Sequence, residues 1–179
     1  HNILMFKKII FYIFFIIAFS FNTYVKAENN ILFIDINYIF LKSIAGEKIN
    51  NQIEIKIKEM NNELANYKKK IDDENKDLIN KKNVLSQEEL KNKSINLNKK
   101  IQEFKIIQSK KNNEINKYKN QLTNEFSKKL RKITQEYAEK NSIDIIFKKE
   151  FIVIGKNNLD VTMKVLDLFN KNVKTIKIN

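Results

Sequence analysis

The chain is 179 residues long, has no proline, no cysteine and only two glycines, and carries a formal net charge of +13 from 34 basic and 21 acidic residues. Without cysteine it holds neither a disulfide framework nor a thiolate metal site, and the redox state of its compartment stays open. Charged residues make up 31%, above the roughly 25% usual in a compact globule, so one thick core is not expected, while the scarcity of proline and glycine permits very long helices.

The basic surplus has two sources that composition does not separate. AT-rich codon usage favours Lys, Asn and Ile together; alternatively the surface is selected to meet nucleic acid, anionic lipid or acidic polypeptide. The compartment decides between these partners, and the N-terminus speaks to it. Residues 1–4, ahead of Met5, read as upstream reading frame and are set aside. Lys7 and Lys8 then precede an apolar run over residues 9–21, followed by polar residues and Val25-Lys26-Ala27. This is the three-part layout of a secretory signal peptide, with cleavage after Ala27 and export to the periplasm. An uncleaved anchor is the rival reading, but the run of 13 residues falls short of the roughly 20 that span a bilayer. The mature chain, from Glu28, loses Lys7, Lys8 and Lys26 and keeps 31 basic against 21 acidic residues. Export argues against nucleic acid as a partner.

Ile31-Leu32-Phe33-Ile34-Asp35-Ile36 reads as a short buried strand. Asn37 is placed to cap a short helix carrying Tyr38, Ile39, Phe40 and Leu41, and Gly46 to break the chain before a long polar stretch. From Ile53 the apolar residues alternate at intervals of four and three: Ile53, Ile57, Met60, Leu64, Tyr67, Ile71, Leu78 and Leu85, with Glu74 and Lys81 in two slots. That is a heptad seam. Ser86-Gln87-Glu88-Glu89 is a capping box and starts a second helix. Its seam runs Leu90, Leu97, Ile101, Phe104, Ile115, Tyr118, Leu122, Phe126, Leu130, Ile133 and Tyr137, with Ser94, Gln108 and Lys111 in slots between. Helices over about 47–83 and 86–140 would measure ~55 and ~80 Å, and a tight turn between them makes an antiparallel hairpin. Each polar slot forgoes about 1.5–3 kcal/mol of apolar burial, so the distal hairpin is expected to hold loosely. Polar slots that set register in an ordinary coiled coil are the alternative.

After Asn141 the period changes. Residues 143–147 and 151–154 read as two strands joined through Lys148-Lys149-Glu150 as a hairpin, and residues 155–158 as a loop. Asp160 is placed to cap a last amphipathic helix with Val161, Val165, Leu168 and Phe169 inward. The fold class expected is mainly α with a small β component: a long antiparallel helical hairpin, a coiled-coil tentacle, inserted in a small α+β oligomerisation body. Residues 1–27 form the leader with its upstream residues, 28–52 the first part of the body, 53–140 the arm with its tip near 83–88, and 141–179 the second part with two strands and a helix. So few strands leave Ile31, Phe33, Ile145, Phe147, Phe151 and Val153 to be covered by another copy, an oligomer interface.

No catalytic constellation can be assembled. The only histidine is His1, outside the mature chain, so no Ser-His or Cys-His pair and no common zinc site is available. No Gly-rich phosphate loop is present, and nucleotide-driven action is not expected. Asp72, Asp73, Glu74 and Asp77 lie among Lys68, Lys69, Lys70 and Lys76 and read as a solvated helix face rather than a metal site. The chain is expected to be no enzyme and to need no cofactor.

The order of elements resembles the Skp (OmpH-like) family of periplasmic chaperones. The matching residues are Ile34-Asp35 with Tyr38-Ile39-Phe40, Ser43-Ile44-Ala45-Gly46-Glu47, Leu85-Ser86-Gln87-Glu88-Glu89, Ile143-Asp144-Ile145-Ile146, Leu159-Asp160-Val161-Thr162 and Val165-Leu166. The resemblance covers residues 31 to about 172. It implies a jellyfish-shaped homotrimer whose tentacles enclose unfolded outer-membrane proteins without ATP, and contact with lipopolysaccharide or other anionic lipid. Here the positive charge rests almost wholly on Lys, with Arg131 standing apart, so bidentate phosphate recognition does not carry over.

For client holding, the arm offers Met60, Leu64, Phe104 and Ile107 as apolar contacts toward the base, and Lys81, Lys82, Lys91, Lys93, Lys99 and Lys100 around the tip. Residues 68–111 hold 13 Lys against seven Asp or Glu, a cationic wall for acidic unfolded chains or simply a soluble helix surface. A structural hairpin bridging a cell-envelope complex is the competing function.

Overall fold

A computed structural model describes residues 30–178; the expected signal peptide lies outside them. The chain begins with strand β1 (Ile31–Ile34), which pairs with β2 (Ile145–Lys148) in a two-stranded parallel sheet, Ile31 opposite Ile145 and Phe33 opposite Phe147. Helices α1 (Ile36–Lys42), α2 (Ile44–Asn80) and α3 (Gln87–Lys140) lie between the two strands, and α4 (Thr162–Asn172) follows them. The fold is thus mainly α, a helical hairpin set in a small α/β body.

Local chemistry explains each boundary. Asp35, not Asn37, caps α1: its carboxylate accepts the Tyr38 N–H at 2.8 Å, and Asn37 lies inside the helix. The break before α2 falls at Ser43, whose extended backbone (φ −80°, ψ 149°) separates the helices and whose hydroxyl accepts the Gly46 N–H at 3.1 Å. Gly46 therefore breaks nothing. It sits in the first turn of α2, where a Cβ would stand 1.8 Å from the Phe40 carbonyl oxygen, so only glycine lets α1 pass this close. The turn after α2 leads to Ser86, and the capping box forms: the Ser86 hydroxyl accepts the Glu89 N–H at 3.3 Å and the Glu89 carboxylate accepts the Ser86 N–H at 3.0 Å. α3 stops without glycine. Ser142 takes the left-handed conformation (φ 51°), and the Ile143 N–H donates to the Ala138 carbonyl at 3.0 Å, closing a Schellman motif.

The region after β2 departs from the sequence expectation. Residues 151–154 form no strand, and β2 has no antiparallel partner. Lys149–Phe151 is a 3-10 turn, followed by irregular chain and a second 3-10 turn at Asn157–Leu159. Two-residue hairpins favour glycine or asparagine at positive φ, and Lys148-Lys149-Glu150 offers neither. β2 instead uses β1, whose other edge is taken where Val161 N–H donates to the Phe33 carbonyl at 3.0 Å.

The core lies at the base of the hairpin. Ile39, Ile49, Leu122, Phe126, Val165, Phe169 and Ile176 are buried together, joining α1, the start of α2, the last third of α3, α4 and the tail beyond it. Phe126 meets Phe40 edge-on at 5.0 Å and Phe169 at 4.8 Å between ring centroids, geometries favoured by the ring quadrupole. Val161, Val165 and Phe169 face inward as their spacing indicates, with Leu168 half-buried.

Candidate functional site

The helical arm and the sheet-bearing body supply the two candidate surfaces. In the arm, α2 has 37 residues and α3 54, about 55 and 80 Å at 1.5 Å per residue. Their seam thins away from the body. Leu122 is fully buried, whereas Met60, Leu64, Phe104 and Ile107 are only half-buried between the helices and Ile57 is exposed. Tyr67 stacks on Phe104 with centroids 5.7 Å apart, and further out Ile71 and Leu97 close the seam again. Gln108 points to solvent while Ile107 takes the interior place beside it.

Two polar seam positions act as crosslinks. Lys111 of α3 bonds Glu63 of α2 at 2.6 Å, and Lys100 bonds Glu74. The pairs stand eleven residues apart on each helix, three turns, so they lie on one side of the hairpin in the same register. The hydrogen bond from Lys111, then its charge, holds the Glu63 carboxyl below the usual carboxylate range, and the same contact raises Lys111.

The tip lysines fall into two groups. Lys81 is held by Asp77 at 2.9 Å and Lys100 by Glu74. Lys82, Lys91, Lys93 and Lys99 are exposed and make no ion pair among the described residues. Among them stand isolated apolar side chains, Ile79, Val84 and Ile95, which the sequence pattern did not single out because they fall outside the seam. In the acidic cluster, Asp72 binds Lys68 at 2.7 Å. Among the described residues no group of three or more His, Cys, Asp or Glu converges to hold a metal ion, and no helix is long and apolar enough to cross a membrane.

The body divides the six apolar residues assigned to an interface. Ile31, Ile145, Phe147, Phe151 and Val153 are exposed. Phe33 is not. It is 7% exposed, its ring against Gly155, so it belongs to the packing of its own chain.

Sequence reading missed the junction that closes the body. The Asp35 N–H donates to the Thr162 hydroxyl at 2.8 Å across 127 residues of chain. That hydroxyl and the Thr162 N–H donate to Asp160 at 2.5 and 2.9 Å, and Lys149 reaches the other Asp160 oxygen at 3.2 Å. Asp160 is thus the anchor of a polar clasp and not the expected cap of α4, which falls at Val161. Burial, acting most strongly, pushes the Asp160 carboxyl up, but Thr162 and Lys149 together hold it below the usual range. The signal available in sequence was the Asp-x-Thr spacing, whose partner at Asp35 is too distant for any local pattern to reveal.

No curated protein sequence matches the chain closely enough to count as a relative. The fold is shared with the crystal structure of an OmpH-like protein from Caulobacter crescentus CB15, described as a candidate outer membrane chaperone, at a TM-score of 0.79. The two are 17% identical, with 86% of this chain and 90% of that one covered, a likeness of fold alone. Residues 30–169 match the outer membrane protein (OmpH-like) family. Strand, capped hairpin, returning strand and the first two turns of the clasped helix fall within that span, and the chain belongs to the OmpH-like family.

Proposed function

We propose that this protein is an exported, non-enzymatic holdase that keeps unfolded outer-membrane proteins from aggregating in the periplasm, in a cavity between the arms of a homo-oligomer, three copies by family resemblance. Family membership supports the chaperone reading. The observation that carries the holding mode is an arm of 37- and 54-residue helices that mixes unpaired lysines with isolated exposed isoleucines. An unfolded barrel strand offers alternating apolar residues and frequent acids, and many weak contacts of both kinds retain such a chain while leaving it mobile. Release then needs no ATP. The same lysines suit anionic lipid or lipopolysaccharide headgroups as point charges.

The test is dilution of a denatured β-barrel protein into buffer with and without the full chain, without nucleotide. Aggregation should be suppressed near stoichiometric ratios. Unchanged aggregation would overturn the holdase reading and favour the structural hairpin of an envelope complex.

A further inference from the structure

The family match ends at Phe169, but the packed chain runs on. Beyond α4, Val173 is buried and Ile176 fully so, in the same cluster as Leu122 and Phe126, and Ile178 packs against that cluster. These side chains fix the tail to the root of the arm. Its backbone is another matter. The Val173 N–H donates to the Phe169 carbonyl at 2.7 Å, and after it residues 174–178 have no regular structure and no hydrogen bond or ion pair among the described residues. Five consecutive residues thus leave their N–H and C=O groups unmatched by the chain, the condition of an open strand edge.

A cleft of about 670 Å³ opens between the end of this tail, at Lys177 and Ile178, and α3. Its α3 wall carries Gln121, Asn124, Lys128 and Arg131, which lie three or four residues apart and so form one row along the helix. That row is about 15 Å long, the span of about four or five residues of extended chain.

The charge in the cleft is one-sided. Glu125, the only acid among the lining residues, is taken by Lys128 at 2.6 Å. Arg131, the chain's only arginine, and Lys177 are exposed and make no ion pair among the described residues. Small-molecule pockets of this size are lined mainly by apolar side chains. Here Ile178 alone is apolar, which suits a charged, extended ligand instead.

We propose that tail and cleft together bind an extended, acidic stretch of unfolded polypeptide, which adds as a strand along residues 174–178 and sets its carboxylates on Arg131 and Lys177. Main-chain pairing supplies affinity whatever the sequence, and the two cations select acidic segments. Arg131 suits the task because a planar guanidinium takes a carboxylate through two parallel hydrogen bonds. The site lies at the root of the arm, away from the tip lysines, and gives a captured chain one directional hold beside many diffuse ones. That the partner is an unfolded chain rests on the holdase reading; the free charge and the open backbone do not.

The test is fluorescence anisotropy of the full mature chain with a short labelled peptide alternating valine and glutamate. Binding should be saturable, weakened by salt, and reduced about tenfold or more by Arg131→Glu or Lys177→Glu, where like charges meet. A peptide with the same side chains but N-methylated throughout should fail to bind, because it has no N–H to offer the tail. Amide exchange on the wild type keeps the test open should a variant fold poorly: the glutamate peptide should slow exchange at residues 174–178. Equal binding of the N-methylated peptide or of a valine–lysine peptide, unchanged exchange in the tail, or Arg131→Glu binding as wild type does would overturn the proposal. So would displacement of the peptide by inorganic phosphate or phosphatidylglycerol vesicles at matched ionic strength, which would make the cleft a phosphate site. The peptide assay needs no denatured barrel protein, so its failure overturns this site and leaves the aggregation test of the holdase reading standing.

Discussion

Gly46 shows how one missing side chain sets the path of the chain. With a Cβ only 1.8 Å from the Phe40 carbonyl, Gly46→Ala must push α1 off α2 or unwind the first turn. A loss of about 3 kcal/mol is expected by denaturant titration, comparable to overpacking a core, and Gly46→Ser should be no milder. The Asp160 clasp makes a second prediction. Its folded pKa lies below the unfolded value of 3.8, so its contribution is fully present above that pH and is lost as pH falls through the lower folded value. Acid unfolding followed by circular dichroism should show a body transition in that range. Thr162→Val, which removes the hydroxyl but keeps the shape, should weaken the body at neutral pH and flatten its acid dependence. An unchanged acid profile would assign the transition to other carboxylates.

The two long helices are readable in the sequence because their instruction is local: apolar residues at heptad spacing, a Ser86–Glu89 box, and almost no glycine or proline to interrupt them. The expected strand after Glu150 fails for the complementary reason. Its β-branched run states a preference, but pairing depends on a partner, and the single sheet among the described residues is completed by β1 and β2. Asn37 fails as a cap because Asp35 stands first at the point where β1 ends, and the helix starts there. Among the tip lysines, sequence alone offers six equal candidates, and the fold separates two paired ones from four free ones. Reversing Lys82, Lys91, Lys93 and Lys99 to Glu should therefore slow capture of an acidic unfolded client in stopped flow, with helicity unchanged. Raised salt should reproduce the defect in the wild type by screening. Reversal of Lys100 should instead loosen the arm, because it loses its carboxylate partner across the hairpin on α2, whereas Lys81 loses only a partner four residues back at the end of α2. Capture rates indifferent to both salt and charge would leave holding to the exposed isoleucines.

Across residues 31–178 the apolar burial is concentrated at one end, and the rest of the hairpin depends on it. Deleting residues 64–108 and joining the helices by a short turn should leave body and assembly intact, with the Glu63–Lys111 pair at the new tip. If copies assemble through the body as proposed, Phe147→Asp, at an exposed apolar position, should dissociate them while the monomer keeps its fold. Phe33→Asp should unfold the body itself, since it puts an unpaired charge beside the sheet core. Sedimentation paired with circular dichroism separates these outcomes. Export is tested by the intact mass of natively expressed protein, which should begin at Glu28. A product retaining residues 5–27 would remove the periplasmic reading.

The clasp between Asp35 and Thr162 has a consequence for the order of events during synthesis. Its two halves are 127 residues apart, and β1 likewise waits for β2 while the whole hairpin is made. The arm, built from near neighbours, can form as soon as it emerges, whereas the body has high contact order and closes last. A chain crossing a membrane N-terminus first would thus display a finished arm before it has a finished base, with Ile34 and Ile39 exposed in the interval. Slow, late burial of these two side chains, visible as a lag between the helix signal and amide-exchange protection at Ile34 and Ile39 on refolding, is the kinetic signature this topology demands.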